Sequence, residues 1–164
     1  MSQKFKRRLV REKVLQYLYA YEMNRDKLDE LKSNLLLEIT DELDRLFADD
    51  LINKIIINCR ELDERIIQKV TNWEMSRIAL IDKILLRMGI TELLNFPDIP
   101  PKVTINEVIE IAKVYSTSGS GKFINGILDS ILIDEKSSGR LNKTGRGLLE
   151  ESISKTSHSK PDEK

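Results

Sequence analysis

A lysine and a phenylalanine, Lys122 and Phe123, follow a turn rich in serine and glycine. Apolar residues recur at helical spacing on both sides, so the turn delivers this pair to the start of a helix. Backbone N–H groups at a helix start favour an anion, and an aromatic ring beside a cation suits stacking on a nucleobase. The alternative for Phe123 is a place in the core, because Ile124 and Ile127 define an apolar stripe beside it.

The first predicted helix, residues 4–23, carries a second set of cations. One arc of about 60° collects apolar side chains that should face the core, and a separate arc of about 120° is basic. Leu15 and Leu18 interrupt the basic arc, and a solvated charged face is the alternative to a phosphate-binding one. The apolar arc is Val10, Val14, Tyr17 and Tyr21, and the basic arc is Lys4, Arg7, Arg8, Arg11 and Tyr19.

The charges divide the chain into a basic start and an acidic body. The net formal charge is zero over 164 residues. Residues 1–25 hold seven Lys or Arg against two acids, whereas residues 26–134 hold 13 against 20. Residues 135–164 hold seven against five. A basic end on an acidic body indicates two kinds of partner, one polyanionic and one not.

The sequence offers little for catalysis or metal binding. His158 is the only histidine and Cys59 the only cysteine, which excludes a Cys/His zinc cluster and an internal disulfide. A Ser-His-Asp arrangement would need His158 to fold back from the end of the chain. The SGSGKF segment resembles a phosphate-binding loop, but Ser116 replaces its first glycine and Phe123 its magnesium-binding hydroxyl. We therefore expect a binding protein with no catalytic residues, no metal and no cofactor.

The hydrophobic segments also bear on location. None reaches the roughly 18 residues of a membrane span, and no signal-peptide core precedes a small-residue cleavage site. A single cysteine fits a reducing compartment. We expect a cytoplasmic protein that does not contact membranes.

Apolar periodicity predicts an all-α fold of about seven helices in two packed subdomains. The expected boundaries are 1–72 for the subdomain with the basic helix and 73–134 for the second one. Residues 135–164 contain few apolar side chains, which predicts a disordered tail.

Three local signals locate helix boundaries in the second half. Ser76 is a candidate N-cap for a helix that ends before Pro97. Thr104 and Glu107 form a Thr-x-x-Glu capping box for the next helix. The Asn125-Gly126 pair is a hairpin signal, but the apolar residues around it recur at helical period, so we predict a helix there.

Three segments together resemble the NusB family of transcription antitermination proteins. The resemblance covers about residues 5–134 and is most specific where INEVIEIAK is followed by GKFINGILD. Residues 24–70 match mainly in their helical pattern. The segments are RRLVREKVLQYLYAYE, NWEMSRIALIDKILLRMGITELL and VTINEVIEIAKVYSTSGSGKFINGILDSI. The resemblance implies an all-helical fold of two subdomains without catalytic activity.

The resemblance also implies partners. Members of the family bind the boxA element of ribosomal RNA leader transcripts together with NusE, which is also a small-subunit ribosomal protein. The pair helps to assemble an antitermination complex on RNA polymerase. Some members are thought to dimerise, so a homodimer is an open alternative to a monomer.

Site residues follow from the matching motifs. The resemblance implies RNA contacts from Arg7, Arg8, Arg11, Tyr19, Lys122 and Phe123, and the basic arc adds Lys4. It implies a contact between Asp82 and NusE. Gly119 and Gly121 stand where other members can carry Asp, His or Lys, so the turn departs from the family pattern. This surface requires the first and last helices to lie side by side, with Arg7 and Lys122 on one platform.

Two other functions compete with RNA binding. One is a helical scaffold whose acidic face binds a basic protein without touching RNA. The other is kinship with the helical RNA-binding region of some ribosomal RNA methyltransferases, and about 30 tail residues are too few for their catalytic domain.

Overall fold

The protein is a bundle of α-helices. The computed structural model describes the backbone of residues 3–70 and 75–149, and side chains from residue 6 onward in those ranges. The all-α prediction is confirmed, since these residues form seven α-helices and two short 3-10 turns, Met75–Arg77 and Gly145–Leu148. The helices are α1 (Gln3–Met23), α2 (Leu28–Leu37), α3 (Glu42–Ile57), α4 (Cys59–Lys69), α5 (Leu80–Asn95), α6 (Pro101–Tyr115) and α7 (Ser120–Ser137). None of these helices is long and apolar enough to cross a membrane.

Helix α5 is the centre of the bundle. It packs against α1, α3, α4, α6 and α7, and every side chain from Ile84 to Leu93 is buried. A helix that is apolar almost all round must be covered on all sides. Gly89 permits the closest of these contacts, because a Cβ at this position would lie 2.8 Å from a methyl carbon of Leu128 on α7.

Two of the predicted helix starts are wrong. Ser76 does not cap α5, because the chain first makes the Met75–Arg77 turn and the helix begins at Leu80. Thr104 does not open a capping box, because α6 already begins at Pro101. Proline is favoured in the first helical turn, where its missing N–H has no partner to lose. The predicted helix through Asn125 and Gly126 is confirmed.

The predicted boundary of the tail is also wrong. Helix α7 continues to Ser137, and the following segment, residues 138–149, folds back on the end of α5; we call it the C-terminal strap. The backbone N–H of Thr144 donates to the carbonyl of Pro97 at 2.9 Å. Lys143 Nζ donates to the carbonyls of Glu92 (3.2 Å) and Phe96 (2.9 Å). These carbonyls are at the C-terminal end of α5, where Lys143 adds a second donor to those that the backbone N–H groups of Phe96 and Ile99 already supply.

Parts of the predicted organisation fall outside the described residues. Residues 150–164, the rest of the expected tail, are among them, as are residues 71–74 at the predicted junction between subdomains. The buried apolar core runs without a break from Val10 on α1 to Leu132 on α7. The division into two subdomains therefore stays a prediction.

Gly147 tests how tightly the strap is packed. A Cβ at this residue would lie 1.9 Å from the carbonyl oxygen of Pro97, so Gly147→Ala must displace the strap or the α5–α6 turn. We expect a loss of about 1–3 kcal/mol in the free energy of unfolding, measured by urea denaturation. The matched control is Gly126→Ala, where a Cβ meets nothing within 4 Å and alanine favours the helix by about 1 kcal/mol. Equal effects of the two substitutions would mean that the strap is not held against Pro97.

Candidate nucleic-acid interface

The basic arc of α1 is largely an internal surface. Arg11 is 2% exposed, and Leu15 and Leu18, which share its arc, are also buried. Together with Val14 and Tyr17 they give α1 a buried face about 160° wide. The prediction that Arg11 faces solvent, and with it the predicted contact to RNA phosphate, is therefore wrong. The physical reason is that the arc which contains the two leucines packs against α5.

Arg11 forms a buried ion pair with Glu92 of α5. Its Nε and Nη2 donate to the two carboxylate oxygens at 2.9 and 2.6 Å, and Glu92 is 0% exposed. The hydroxyl of Thr104 on α6 donates to the same carboxylate at 3.3 Å. Burial alone would lower the pKa of Arg11, but the charge and hydrogen bonds of Glu92 outweigh it, so the net shift is upward. The pair thus joins α1, α5 and α6 in the core.

Arg7 and Arg8 flank Arg11 on opposite sides around the axis of α1. Arg7 turns towards α3, where its Nε donates to Asp44 at 2.9 Å and its guanidinium lies 4.2 Å from the centre of the Phe47 ring. Arg8 turns towards α6 and donates twice to Glu107, at 2.7 and 3.0 Å. The hydrogen bond to Glu107 is the main reason why the pKa of Arg8 is raised. Both side chains keep about a third of their surface exposed.

Lys4 cannot be placed on either flank. It belongs to α1, but its side chain lies outside the described residues. Its assignment to the RNA surface stays a prediction.

Helices α1 and α6 run parallel and form a seam. Arg8 pairs with Glu107, and eight residues further along both helices Gln16 lies 3.4 Å from the hydroxyl of Tyr115. The equal spacing on both helices shows that they stay side by side over this length. The α1–α6 seam, as we call it, therefore begins at the Arg8–Glu107 pair and ends at Tyr115.

Tyr19 lies at the far end of this seam, beside an open cavity of about 280 Å³. Tyr19 is 40% and Tyr115 37% exposed, and both can stack on a planar group. Sequence analysis did not single out Tyr115, although it ends α6 just before the Ser/Gly turn. The cavity is lined by Leu15, Gln16, Tyr19, Ile81 and Tyr115.

The Lys122–Phe123 pair lies in the first turn of α7, near the start of α5. Lys122 is exposed, whereas Phe123 is half-buried and packs against the core. Phe123 borders a second open cavity of about 280 Å³, which Asp82 also lines. The preceding residue, Ile81, lines the cavity beside Tyr19. Tyr19 and Phe123 therefore lie on either side of the start of α5.

Asp82 organises the turn between α6 and α7. Its carboxylate accepts hydrogen bonds from the hydroxyls of Ser116 (2.6 Å) and Ser120 (2.8 Å), and the residue is 7% exposed. The carboxylate is therefore used inside the fold, where it holds the turn that precedes Lys122 and Phe123. The expected contact of Asp82 with NusE stays a prediction.

The described residues do not form the single platform that the sequence predicted. Arg8 and Tyr19 follow the α1–α6 seam and its end, whereas Lys122 and Phe123 begin α7 on the other side of the start of α5. Arg7 lies on the α3 side of α1, and Arg11 is buried. From Arg8 to Tyr19 the seam extends about 16 Å, taking 1.5 Å per helical residue. Any ligand that contacts both ends must be extended.

Comparison with known proteins identifies the family. The family model described as the NusB family matches residues 8–132. The chain belongs to the NusB family. It is 46% identical over 146 residues to the transcription antitermination protein NusB of Chloroherpeton thalassium, covering 88% of this chain and 69% of that protein. The NusB of Salinibacter ruber is 48% identical over 145 residues, with 87% and 91% covered.

Solved NusB structures have the same fold. A structure of T. maritima NusB aligns with a TM-score of 0.72 at 39% identity, covering 78% of this chain and 91% of that one. The NusB-like chain in a crystal structure of the antitermination factors NusB and NusE with double-stranded RNA has a TM-score of 0.69 at 22% identity, with 82% and 99% covered. At that identity the likeness supports the fold alone. The C-terminal strap lies beyond the residues that the NusB family model matches.

The Arg11–Glu92 pair should be essential for stability. Replacing Arg11 with Met leaves a buried carboxylate without its cation, which typically costs about 3–5 kcal/mol in the free energy of unfolding. Chemical denaturation measures this loss. The double variant Arg11→Met with Glu92→Leu should recover much of it, because apolar residues often replace a buried ion pair at little cost. A single Arg11 variant as stable as the wild type would contradict the described core.

Proposed function

We propose that this chain is a non-catalytic transcription antitermination factor that binds boxA-type RNA of ribosomal RNA leaders together with NusE. Membership of the NusB family is the observation that carries the proposal. A NusB chain with the same fold has been crystallised with NusE and double-stranded RNA, and the proposal extends these two kinds of partner to this chain. The complex would hold nascent RNA near RNA polymerase.

The α1–α6 seam supports an extended path for the RNA. The seam has a guanidinium at one end, from Arg8, and two tyrosines at the other, and the Lys122–Phe123 pair begins α7 across the start of α5 from them. A length of about 16 Å corresponds to roughly five stacked nucleotides at 3.4 Å each. Phosphate contacts at both ends and stacking on Tyr19 are the interactions that single-stranded RNA requires.

One observation favours a scaffold that does not bind RNA by itself. Arg7, Arg8 and Arg11 all pair with carboxylates of the same chain, which reduces the positive potential of α1. On that alternative the chain would present NusE, and only NusE would contact RNA. Fluorescence anisotropy of a labelled boxA-type RNA, titrated with this chain, with NusE and with both together, separates the two functions. RNA binding by the pair that equals binding by NusE alone would support the scaffold.

Lys122 and Tyr19 should affect RNA binding in different ways. Lys122→Ala removes one phosphate contact and should reduce the slope of log K against log salt by about 0.7–1. Tyr19→Ala removes stacking and should weaken binding by about 1–3 kcal/mol with the slope unchanged. Anisotropy titrations at several salt concentrations, with NusE present, measure both effects.

Arg60→Ala is the matched control for the loss of a charge. The Arg60 side chain is 94% exposed, and its ion pair among the described residues is an i,i+4 pair with Glu64 on α4. Arg60→Ala should leave the affinity for RNA, and the slope of that affinity against salt concentration, nearly unchanged. If Lys122→Ala behaves like Arg60→Ala, Lys122 does not contact RNA.

A further inference from the structure

The conformation of Arg7 is determined by α3. Asp44 accepts a hydrogen bond from its Nε at 2.9 Å, and Phe47, one turn further along α3, lies under the guanidinium at 4.2 Å. A carboxylate at the edge and a ring under the face together restrict a side chain that otherwise has many rotamers.

Asp44 is itself held in place by the start of α3. The carboxylate of Asp41 caps the helix by accepting a hydrogen bond from the backbone N–H of Asp44 at 2.9 Å. Asp44 thus lies in the first turn of α3, where the helix dipole favours a negative charge. The capped helix fixes Asp44, and Asp44 fixes Arg7.

The terminal amino groups of Arg7 remain available. Within the described residues, Asp44 is the hydrogen-bond partner of Arg7, and it uses only the Nε. The side chain is 31% exposed and borders an open cavity of about 520 Å³ between α1, α3 and the α5–α6 turn. A guanidinium with fixed orientation and four unused N–H donors can bind a phosphate bidentately.

We propose that Asp44 is a positioning residue for RNA: it holds Arg7 so that the outer edge of the guanidinium receives a backbone phosphate on the α3 side of α1. This inference rests on the proposed function, whose expected RNA contacts include Arg7, and adds to it the residue that orients this side chain. The opposing possibility is that Asp44 only neutralises Arg7. The two possibilities predict opposite changes in RNA affinity when Asp44 loses its charge: a decrease if Asp44 positions Arg7, and an increase if it only neutralises Arg7.

Asp44→Asn and Asp98→Asn form a matched pair of variants that distinguishes positioning of Arg7 from neutralisation of its charge. Both raise the net charge by one, and Asp98 borders the same cavity without a hydrogen bond to Arg7. Binding of a boxA-type RNA oligonucleotide in the presence of NusE is measured for the wild type and both variants. Asp44→Asn should weaken binding about two- to tenfold, because an Arg7 that is no longer held must be ordered on binding. Asp98→Asn should bind as tightly as the wild type or slightly more tightly.

A double-variant cycle provides a second measurement. In an Arg7→Ala background Asp44→Asn should have no effect on RNA affinity, because the side chain through which it acts is gone. Arg7→Lys, which keeps the charge but loses the planar fork, should weaken binding as Asp44→Asn does. Thermal unfolding of each variant checks that the affinities refer to folded protein.

Two outcomes would overturn the positioning role. One is Asp44→Asn binding RNA as tightly as Asp98→Asn, and the other is Asp44→Asn weakening binding equally in the Arg7→Ala background. Failure of the wild type with NusE to bind the RNA is a separate result, since it removes the proposed function itself.

Discussion

The fold depends on one buried ion pair between its first and its central helix. Arg11 and Glu92 are both almost inaccessible to water, and Arg11 donates two hydrogen bonds to the Glu92 carboxylate. A charge in such a place needs a partner of opposite sign in the correct geometry. The pair therefore fixes the rotation of α1 about its own axis. That rotation decides which side chains of α1 meet α3, which meet α6 and which meet solvent.

The seam and the flanks of α1 follow from this rotation. With Arg11 pointing at α5, Arg7 and Arg8 are turned to opposite sides, and each finds a carboxylate on the neighbouring helix. The same rotation aligns Arg8, Gln16 and Tyr19 with α6. The excess of positive charge near the start of the chain is thus largely compensated across helix interfaces. Among the predicted site cations whose side chains the structure describes, a polyanion can reach the exposed parts of the Arg7 and Arg8 guanidinium groups and Lys122.

Helical periodicity predicted the all-α fold well, because apolar spacing decides which segments are helices whatever they pack against. The orientation of α1 was harder to predict. Leu15 and Leu18 within the basic arc indicate that this arc is covered by another helix. The number of arginines in the same arc instead favoured a solvent-exposed surface, which is why the orientation predicted for Arg11 was wrong. Arg11 can be buried because its charge is paired with that of Glu92, which is 81 positions away in the sequence. Local patterns cannot identify a partner at that distance, and the same holds for Glu107 and for the serines that bond Asp82.

The C-terminal strap has a consequence for the limits of the folding unit. The NusB family model matches the chain only up to residue 132, whereas Lys143 and Thr144 supply donors to carbonyls at the end of α5 and in the turn that follows. A chain cut where the family match ends would expose these oxygens and uncover the apolar surface beneath Leu141. The folding unit of this protein is therefore longer than the segment that the family model matches. It extends to the strap residues that donate hydrogen bonds to Glu92, Phe96 and Pro97.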